Sequence, residues 1–157
     1  MTKPPAVLFV CLGNICRSPL AEAAFRAEAE ARGIAVSADS AGTGGWHVGE
    51  PPDVRARAVA RRHGVAIDHY AARQIEPEDF FRFDEIVALD RQNLVDLAGL
   101  APREATARLS LLLDAVPGRA GESIADPYYG TAKDFERTWA EVVLGARGLL
   151  DRLARDA

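Results

Sequence analysis

Apolar and polar positions along this chain change period repeatedly, and the changes divide it into alternating strand-like and helix-like segments. Ala6 to Val10 is an unbroken apolar run rich in β-branched and aromatic types, which predicts a buried parallel strand. A helix is predicted from Ser18 to about Arg32, with Ser18 as N-cap, Pro19 in the first turn and Gly33 as a left-handed terminator. Strand two is expected over Ala35 to about Asp39. A loop rich in Gly and Pro, 42–52, leads into a helix over about 53–63 that Gly64 closes. A short acidic helix follows near 76–81, after Arg73 and Gln74, and Glu85 to Leu89 reads as strand three. Asp90 then caps a helix reaching about Ala98. Leu109 to Leu113 is the fourth strand, although a leucine-rich run suits a helix as well. The last helix starts near Thr131, which forms a capping-box pattern with Asp134. Along it Phe135, Trp139, Val142, Ala146, Leu149 and Leu153 recur at helical spacing, a stripe that faces a core and carries no functional weight.

This alternation predicts an α/β fold, an open parallel four-stranded sheet with helices on both faces. No internal repeat, low-complexity segment or domain boundary interrupts it, so residues 1–157 are expected to form one domain. In open parallel sheets, ligands bind beyond the carboxyl ends of the strands, near the point where strand order reverses. Cys11 stands at such an end.

Composition narrows the function by exclusion. A chain of 157 residues, 48% apolar and 27% charged, buries roughly 70% of its unfolded surface and needs no disulfide or metal staple. Its net charge of −4 argues against nucleic-acid binding, which favours basic proteins. An anionic substrate would then be attracted locally rather than by the global field. Only two cysteines occur, Cys11 and Cys16, both inside one loop. That is too few and too close for a secreted disulfide framework, and no His/Cys set supplies a zinc site. No metal and no cofactor are expected. The N-terminus lacks the pattern of a signal peptide and no stretch is long enough to span a membrane. A cytoplasmic protein with no membrane partner is therefore the expectation.

The candidate chemistry gathers at residues 11–19, CLGNICRSP. A bare C-x5-R pattern is common by chance, and Cys11 alone could be a strand-end thiol packed as a small hydrophobe. Here the strand runs straight into a thiol, then Gly13 and Asn14, both expected at positive φ, then Arg17 and a helix N-terminus. Amides turned inward by such a loop bind a tetrahedral oxyanion, so a phosphate-binding loop is predicted between strand one and helix one. Attack on phosphorus requires a thiolate, and helix N-termini and neighbouring cations bring thiol pKa values down to about 3.5–7.5. Cys11 is the candidate nucleophile, forming a phosphocysteine. Arg17 offers a planar fork for two phosphoryl oxygens, which lysine cannot reproduce. Ser18 can both cap its helix and donate to the Cys11 sulfur as that sulfur leaves. Asp126, held in an extended or turn backbone before Pro127, is the candidate general acid for the departing aryl oxygen and then the base toward water. Trp46, Tyr128 and Tyr129 would wall a slot for a flat aryl ring, with Leu12 and Ile15 as its apolar floor and rim. His47 reads as solvated, Asp90 as a helix cap and His63 as a last-turn cation, and none of these enters the predicted site.

CLGNICRSPLAEAAF at 11–25, DSAGTGGWHVGEPPD at 39–53 and DPYYG at 126–130 resemble the low-molecular-weight protein tyrosine phosphatase family, and the Trp46–His47 pair resembles its bacterial members. The similarity runs from about residue 6 to about 153 and is weakest over 99–125. One extra residue near Ala71–Ala72 departs from the mammalian form. The resemblance implies hydrolysis of phosphotyrosine, with Trp46, Tyr128 and Tyr129 lining the substrate cleft. It also implies that Ser40 and His69 buttress Asn14. Cys16, within the phosphate loop, is implied to capture oxidised Cys11 as a disulfide.

Rival functions fit the residues less well. An arsenate reductase of the same fold passes a disulfide along cysteines outside the loop, and this chain has none there. The protein-arginine phosphatase branch resembles this loop but carries threonine where Ile15 stands; an apolar Ile15 favours an aryl ester over a guanidinium. A phosphocysteine carrier domain needs no acid to expel an aryl oxygen, so Asp126 and the aromatic wall argue against it. A phosphotyrosine-binding module would not need the full chemical set. The sequence thus predicts a metal-independent protein tyrosine phosphatase, a monomer acting on phosphotyrosine-containing proteins, tyrosine kinases among the candidates.

Overall fold

Strand β1 (Ala6–Cys11) organises the molecule, because its two faces feed two separate cores. Side chains alternate across a strand. Val7, Phe9 and Cys11 join one buried cluster with Leu20, Phe25, Phe135 and Leu149, while Leu8 and Val10 join another with Phe80, Ile86 and Leu97. A computed structural model describes residues 3–156; residues 1, 2 and 157, the ends of the expected domain, lie outside the described residues.

Along the chain follow α1 (Arg17–Ala31), β2 (Ser37–Gly42), α2 (Val54–Arg62), α3 (Asp79–Arg82), β3 (Glu85–Ala88), α4 (Arg91–Leu100), β4 (Arg108–Leu111), a 3₁₀ turn (Leu112–Ala115) and α5 (Ala132–Asp156). The strands form one four-stranded sheet in the order β2-β1-β3-β4, every pair parallel. The α/β architecture expected from the sequence is therefore the observed one. β1 crosses through α1 to β2 on one side, and β3 crosses through α4 to β4 on the other. Strand order reverses between β1 and β3, which opens a crevice beyond their carboxyl ends. Cys11 ends β1 there, and Leu89 and Asp90 follow β3.

Some boundaries differ from those the sequence implies. The second strand lies at Ser37–Gly42 rather than Ala35–Asp39. Its SADSAG run has little apolar signal, and its place is set by the ladder to β1, from Ala6 opposite Ser37 to Cys11 opposite Gly42. β4 stops at Leu111 because the Asp114 carboxylate accepts from Leu111 N at 3.0 Å and from Gly121 N at 2.8 Å, which turns the leucine run into a 3₁₀ turn. The acidic helix is a single turn, Asp79–Arg82, and α4 continues to Leu100. Gly33 (φ 68°) and Gly64 (φ 83°) take the left-handed conformation expected of helix terminators. At the start of α5, Thr131 N and Oγ1 both donate to Asp134 Oδ2, at 2.7 and 3.2 Å, so the carboxylate half of the expected capping box forms. The α5 stripe from Phe135 to Leu149 is buried as predicted. No helix among the described residues is long and apolar enough to cross a membrane.

Candidate active site

The loop 12–16 joins β1 to α1, and its turn is made by Asn14, the one non-glycine residue at positive φ (58°) among the described residues. Asparagine tolerates this region because its short amide can bond locally. Asn14 Nδ2 donates to Ser18 Oγ at 2.7 Å, and Asn14 Oδ1 accepts from Arg73 N at 3.0 Å. Gly13, contrary to expectation, is not at positive φ. Its missing side chain allows close approach instead, since a Cβ there would stand 3.1 Å from His47 Cδ2. The Asn14 amide donates to Cys11 Sγ at 3.3 Å. The amides of Gly13, Ile15 and Cys16 find no backbone acceptor among the described residues, and those of Arg17 and Ser18 are first-turn donors without intrahelical partners. Free N–H groups beside a thiol, at a helix N-terminus, make an anion site.

Ser18 is not the N-cap. α1 begins one residue earlier than expected, at Arg17, with Cys16 in the cap position and no side-chain cap. Ser18 therefore sits inside the first turn, where its Oγ lies 3.0 Å from Cys11 Sγ. The Asn14 amide already occupies one of its lone pairs, which leaves the hydroxyl proton available to a thiolate. A side-chain cap would consume first-turn donors; leaving them free keeps them for a ligand.

Arg17 is buried and held from two elements. Its Nη1 donates to Asp90 Oδ2 at 2.6 Å and to the Ile124 carbonyl at 2.9 Å, and its Nη2 lies 3.6 Å from Asp126 Oδ2. Burial opposes its charge, but Cys11 and the bonded Asp90 outweigh that effect and hold the guanidinium above its usual pKa. Cys16, also buried, is pushed far up, first by burial and then by the Asp53, Cys11 and Asp126 charges, so it stays a neutral thiol.

Above this loop lies a cleft of about 220 Å³ lined by Cys11, Leu12, Gly13, Ile15, Cys16 and Arg17 below, and by Trp46, His47, Asp126, Tyr128 and Tyr129 around its mouth. The predicted nucleophile, cation, acid and aromatic wall are thus brought together. Tyr128 and Tyr129 meet edge to face, their ring centroids 4.9 Å apart. Trp46 is 71% and Tyr129 96% exposed, so neither ring is spent on the core. Asp126 Oδ1 accepts from Tyr128 N at 3.1 Å, which aims the carboxylate while leaving it open to solvent. His47, read as solvated, reaches the mouth and bonds Glu50 at 2.9 Å.

Ser40 and His69 do not buttress Asn14. The Ser40 hydroxyl donates to Glu22 Oε1 at 2.8 Å, and His69 is exposed against the Tyr70 ring. The support comes from Arg73, whose backbone amide reaches Asn14 while its guanidinium grips Asp79 at 2.9 and 3.1 Å and Asp39 at 3.0 Å. Two further residues escaped the sequence reading. Asp90 caps α4 and also anchors Arg17; its position directly after strand three, at the crevice, was the available signal. Arg55 carried no signal at all, yet its Nη2 donates to the Tyr128 carbonyl at 2.8 Å and its Nη1 to that of Gly130 at 3.2 Å, tying α2 to the segment that carries Asp126.

The sequence profile of the family described as low molecular weight phosphotyrosine protein phosphatase matches residues 6–157. The low molecular weight protein-tyrosine-phosphatase of Streptomyces coelicolor is 50% identical over 149 residues, covering 92% of this chain and 90% of its own length. The human low molecular weight phosphotyrosine protein phosphatase is 42% identical over 150 residues, 94% of each chain. The crystal structure of YfkJ from Bacillus subtilis superposes with a TM-score of 0.91 at 39% identity, over 99% of this chain and 98% of that one. Profile, relatives and fold agree with the loop geometry: this chain belongs to the low molecular weight phosphotyrosine protein phosphatase family.

Proposed function

We propose that the chain hydrolyses phosphotyrosine in proteins through a phosphocysteine on Cys11, by the following division of labour. The phosphoryl group seats on the free loop amides and on the Arg17 fork, and the Cys11 thiolate attacks phosphorus in line with the aryl oxygen. The P–O bond breaks as the P–S bond forms, and Asp126 passes its proton to the departing phenolate. Asp126 then removes a proton from water as that water attacks phosphorus, and the sulfur leaves as a thiolate stabilised by the Ser18 hydroxyl. Charge spread over the phosphoryl oxygens is met by groups already in position, which is where the largest share of such rate enhancement arises. Trp46, Tyr128 and Tyr129 receive the tyrosine ring, and the apolar Ile15 at the base of the cleft suits an aryl ester rather than a guanidinium. The same reading makes the protein a cytoplasmic monomer whose substrates are phosphotyrosine-bearing proteins.

One observation carries this reading above all: the Asp126 carboxylate, exposed at the mouth, stands 3.6 Å from the guanidinium that lies beside the thiol. Nucleophile, phosphate clamp and proton donor thereby share one aryl-sized cleft. Rapid acid quench during turnover of a phosphotyrosine peptide should trap one phosphate per chain, on Cys11. Cys11→Ser should fold normally and turn over less than one per cent as fast. A folded Cys11→Ser protein with greater activity, or a phosphate found elsewhere, would overturn the scheme.

A further inference from the structure

The catalytic cleft does not end at the Leu12–Trp46 ridge. Both residues also line a second, shallow groove, completed by Thr43 and Gly44 on one side and by Val95, Asp96, Gly99 and Leu100 of α4 on the other. Leu12 is 44%, Trp46 71%, Val95 65% and Leu100 50% exposed. Single exposed apolar side chains need no explanation, but contiguous ones mark a surface that is covered in use. On α4 the positions 95, 96, 99 and 100 fall on one helical face, so the helix presents this apolar strip as a unit.

Gly99 strengthens the case. Glycine weakens a helix relative to alanine. The residue is not at positive φ, and a Cβ added to it would meet nothing within 4 Å. Neither the backbone nor the packing of this protein requires glycine there. Its one structural consequence is a low groove floor between Val95 and Leu100.

We propose that this groove is a substrate subsite that takes an apolar side chain close to the phosphotyrosine in sequence. The proposal rests on the phosphatase reading and adds a preference to it. Continuity with the cleft argues for the substrate's own polypeptide as the occupant: a ring seated against Trp46 places its main chain at the ridge shared by the two depressions. An extended chain advances ~3.5 Å per residue, so neighbours one to three positions away reach across that ridge. Asp96 is the charged residue of the lining, its Oδ1 accepting from Gln92 at 2.9 Å, and it disfavours acidic side chains in the groove.

The test compares kcat/KM for phosphotyrosine peptides that differ only in carrying Leu or Glu at each flanking position in turn, with p-nitrophenyl phosphate as a substrate that has no flanks. Wild type should prefer Leu by ~5–50-fold at one flanking position. The double variant Val95→Ser/Leu100→Ser should reduce that preference to within twofold, and so should Gly99→Leu, whose Cβ meets open space and whose side chain occupies the groove. Turnover of p-nitrophenyl phosphate should stay within twofold throughout. Val95→Lys should shift the preference toward Glu. Equal rates for Leu and Glu peptides, or a preference that survives in the variants, would overturn the subsite. So would a wild-type dimer that the double variant disperses in sedimentation, because the strip would then be an interface between copies. Failure of wild type to hydrolyse p-nitrophenyl phosphate would instead defeat the phosphatase reading itself.

Discussion

The carboxylate of Asp90 binds with both oxygens to different parts of the fold: Oδ2 accepts from Arg17 Nη1 at 2.6 Å, and Oδ1 accepts from Asn93 N at 2.7 Å. One side chain therefore fixes the Arg17 guanidinium relative to the first turn of α4, across the point where strand order reverses. Asp90→Ala should cost about 2–4 kcal/mol in denaturant unfolding, from loss of the cap and of the partner of a buried cation. With the guanidinium left to the Ile124 carbonyl and the more distant Asp126, kcat/KM for an aryl phosphate should fall by ~10–10²-fold. Asp90→Asn, which keeps one acceptor and turns an NH2 donor toward the other N–H, should fall between wild type and Asp90→Ala in both. Equal activity in wild type and Asp90→Ala would show that Arg17 needs no such anchor.

Asp126 Oδ1 accepts from the Tyr128 amide, while Oδ2 stands 3.6 Å from Arg17 Nη2 at the solvent-open mouth of the cleft. Asp126→Asn should slow formation of the phosphocysteine by ~10²–10⁴-fold for phosphotyrosine. The loss should shrink as the leaving phenol becomes more acidic. A series of aryl phosphates measured under single-turnover conditions reads this directly, and a uniform loss across the series would remove Asp126 as the proton donor.

Asn14 combines a left-handed backbone with bonds to Ser18 and to the Arg73 amide. The two contributions separate by substitution. Asn14→Gly keeps the backbone and loses the bonds, so kcat should fall by ~10-fold or more while the fold remains. Asn14→Ala adds a left-handed penalty of about 1–2 kcal/mol, visible as a lower Tm than that of Asn14→Gly. Were Asn14→Ala the more stable of the two, the positive φ would not be a constraint on this loop.

Burial and the nearby carboxylates keep Cys16 protonated. Iodoacetamide at pH 7–8 should therefore alkylate Cys11 and spare Cys16, as peptide mass spectrometry would reveal. The same protonation should slow any capture of oxidised Cys11, so formation of a Cys11–Cys16 disulfide after peroxide should accelerate as pH rises from 7 to 9. Cys16→Ser should lose the recovery of activity that dithiothreitol gives wild type. Identical recovery in the two proteins would leave Cys16 with packing alone.

The Ser40–Glu22 pair makes a prediction about stability rather than catalysis. Burial raises the Glu22 pKa, against the opposing bonds from Ser40 and Arg26. The folded chain then holds that proton more tightly than the unfolded chain does. The resulting stabilisation is complete below the unfolded carboxyl's pKa of about 4.3 and is lost as pH rises through the folded value. Glu22→Gln should flatten this part of the stability–pH curve. Ser40→Ala should cost about 1–2 kcal/mol through the oxygen left without its donor, with kcat unchanged, and His69→Ala should change neither quantity. A drop in kcat for Ser40→Ala would restore it to the support of the loop.

Residues 11–19 were legible as an anion site because everything that makes the site is contiguous: an apolar strand, a thiol, an asparagine suited to a left-handed turn, a guanidinium and a helix start. A short loop between two regular elements leaves little conformational choice, so local sequence determines its chemistry. The parallel α/β architecture followed from the alternating segments, whereas the strand order β2-β1-β3-β4 is set by the tertiary fold. Asp126 was legible through its Asp-Pro turn and the tyrosines after it. Tertiary structure alone decided what holds these parts in register. Asp90, Arg73 and Arg55 act across gaps of many residues, and no periodicity or spacing encodes which cation a distant carboxylate will meet. Ser18 shows the limit within a single turn: its side chain suits a cap and a thiolate donor equally, and only the start of α1 at Arg17 takes it out of the cap position. Ser40 shows it at longer range, since the packing of α1 on β2 brings Glu22 rather than Asn14 within reach of its hydroxyl. Local chemistry is written in the order of residues, whereas the partners of a side chain are fixed by where the burial of two apolar strand faces places the rest of the chain.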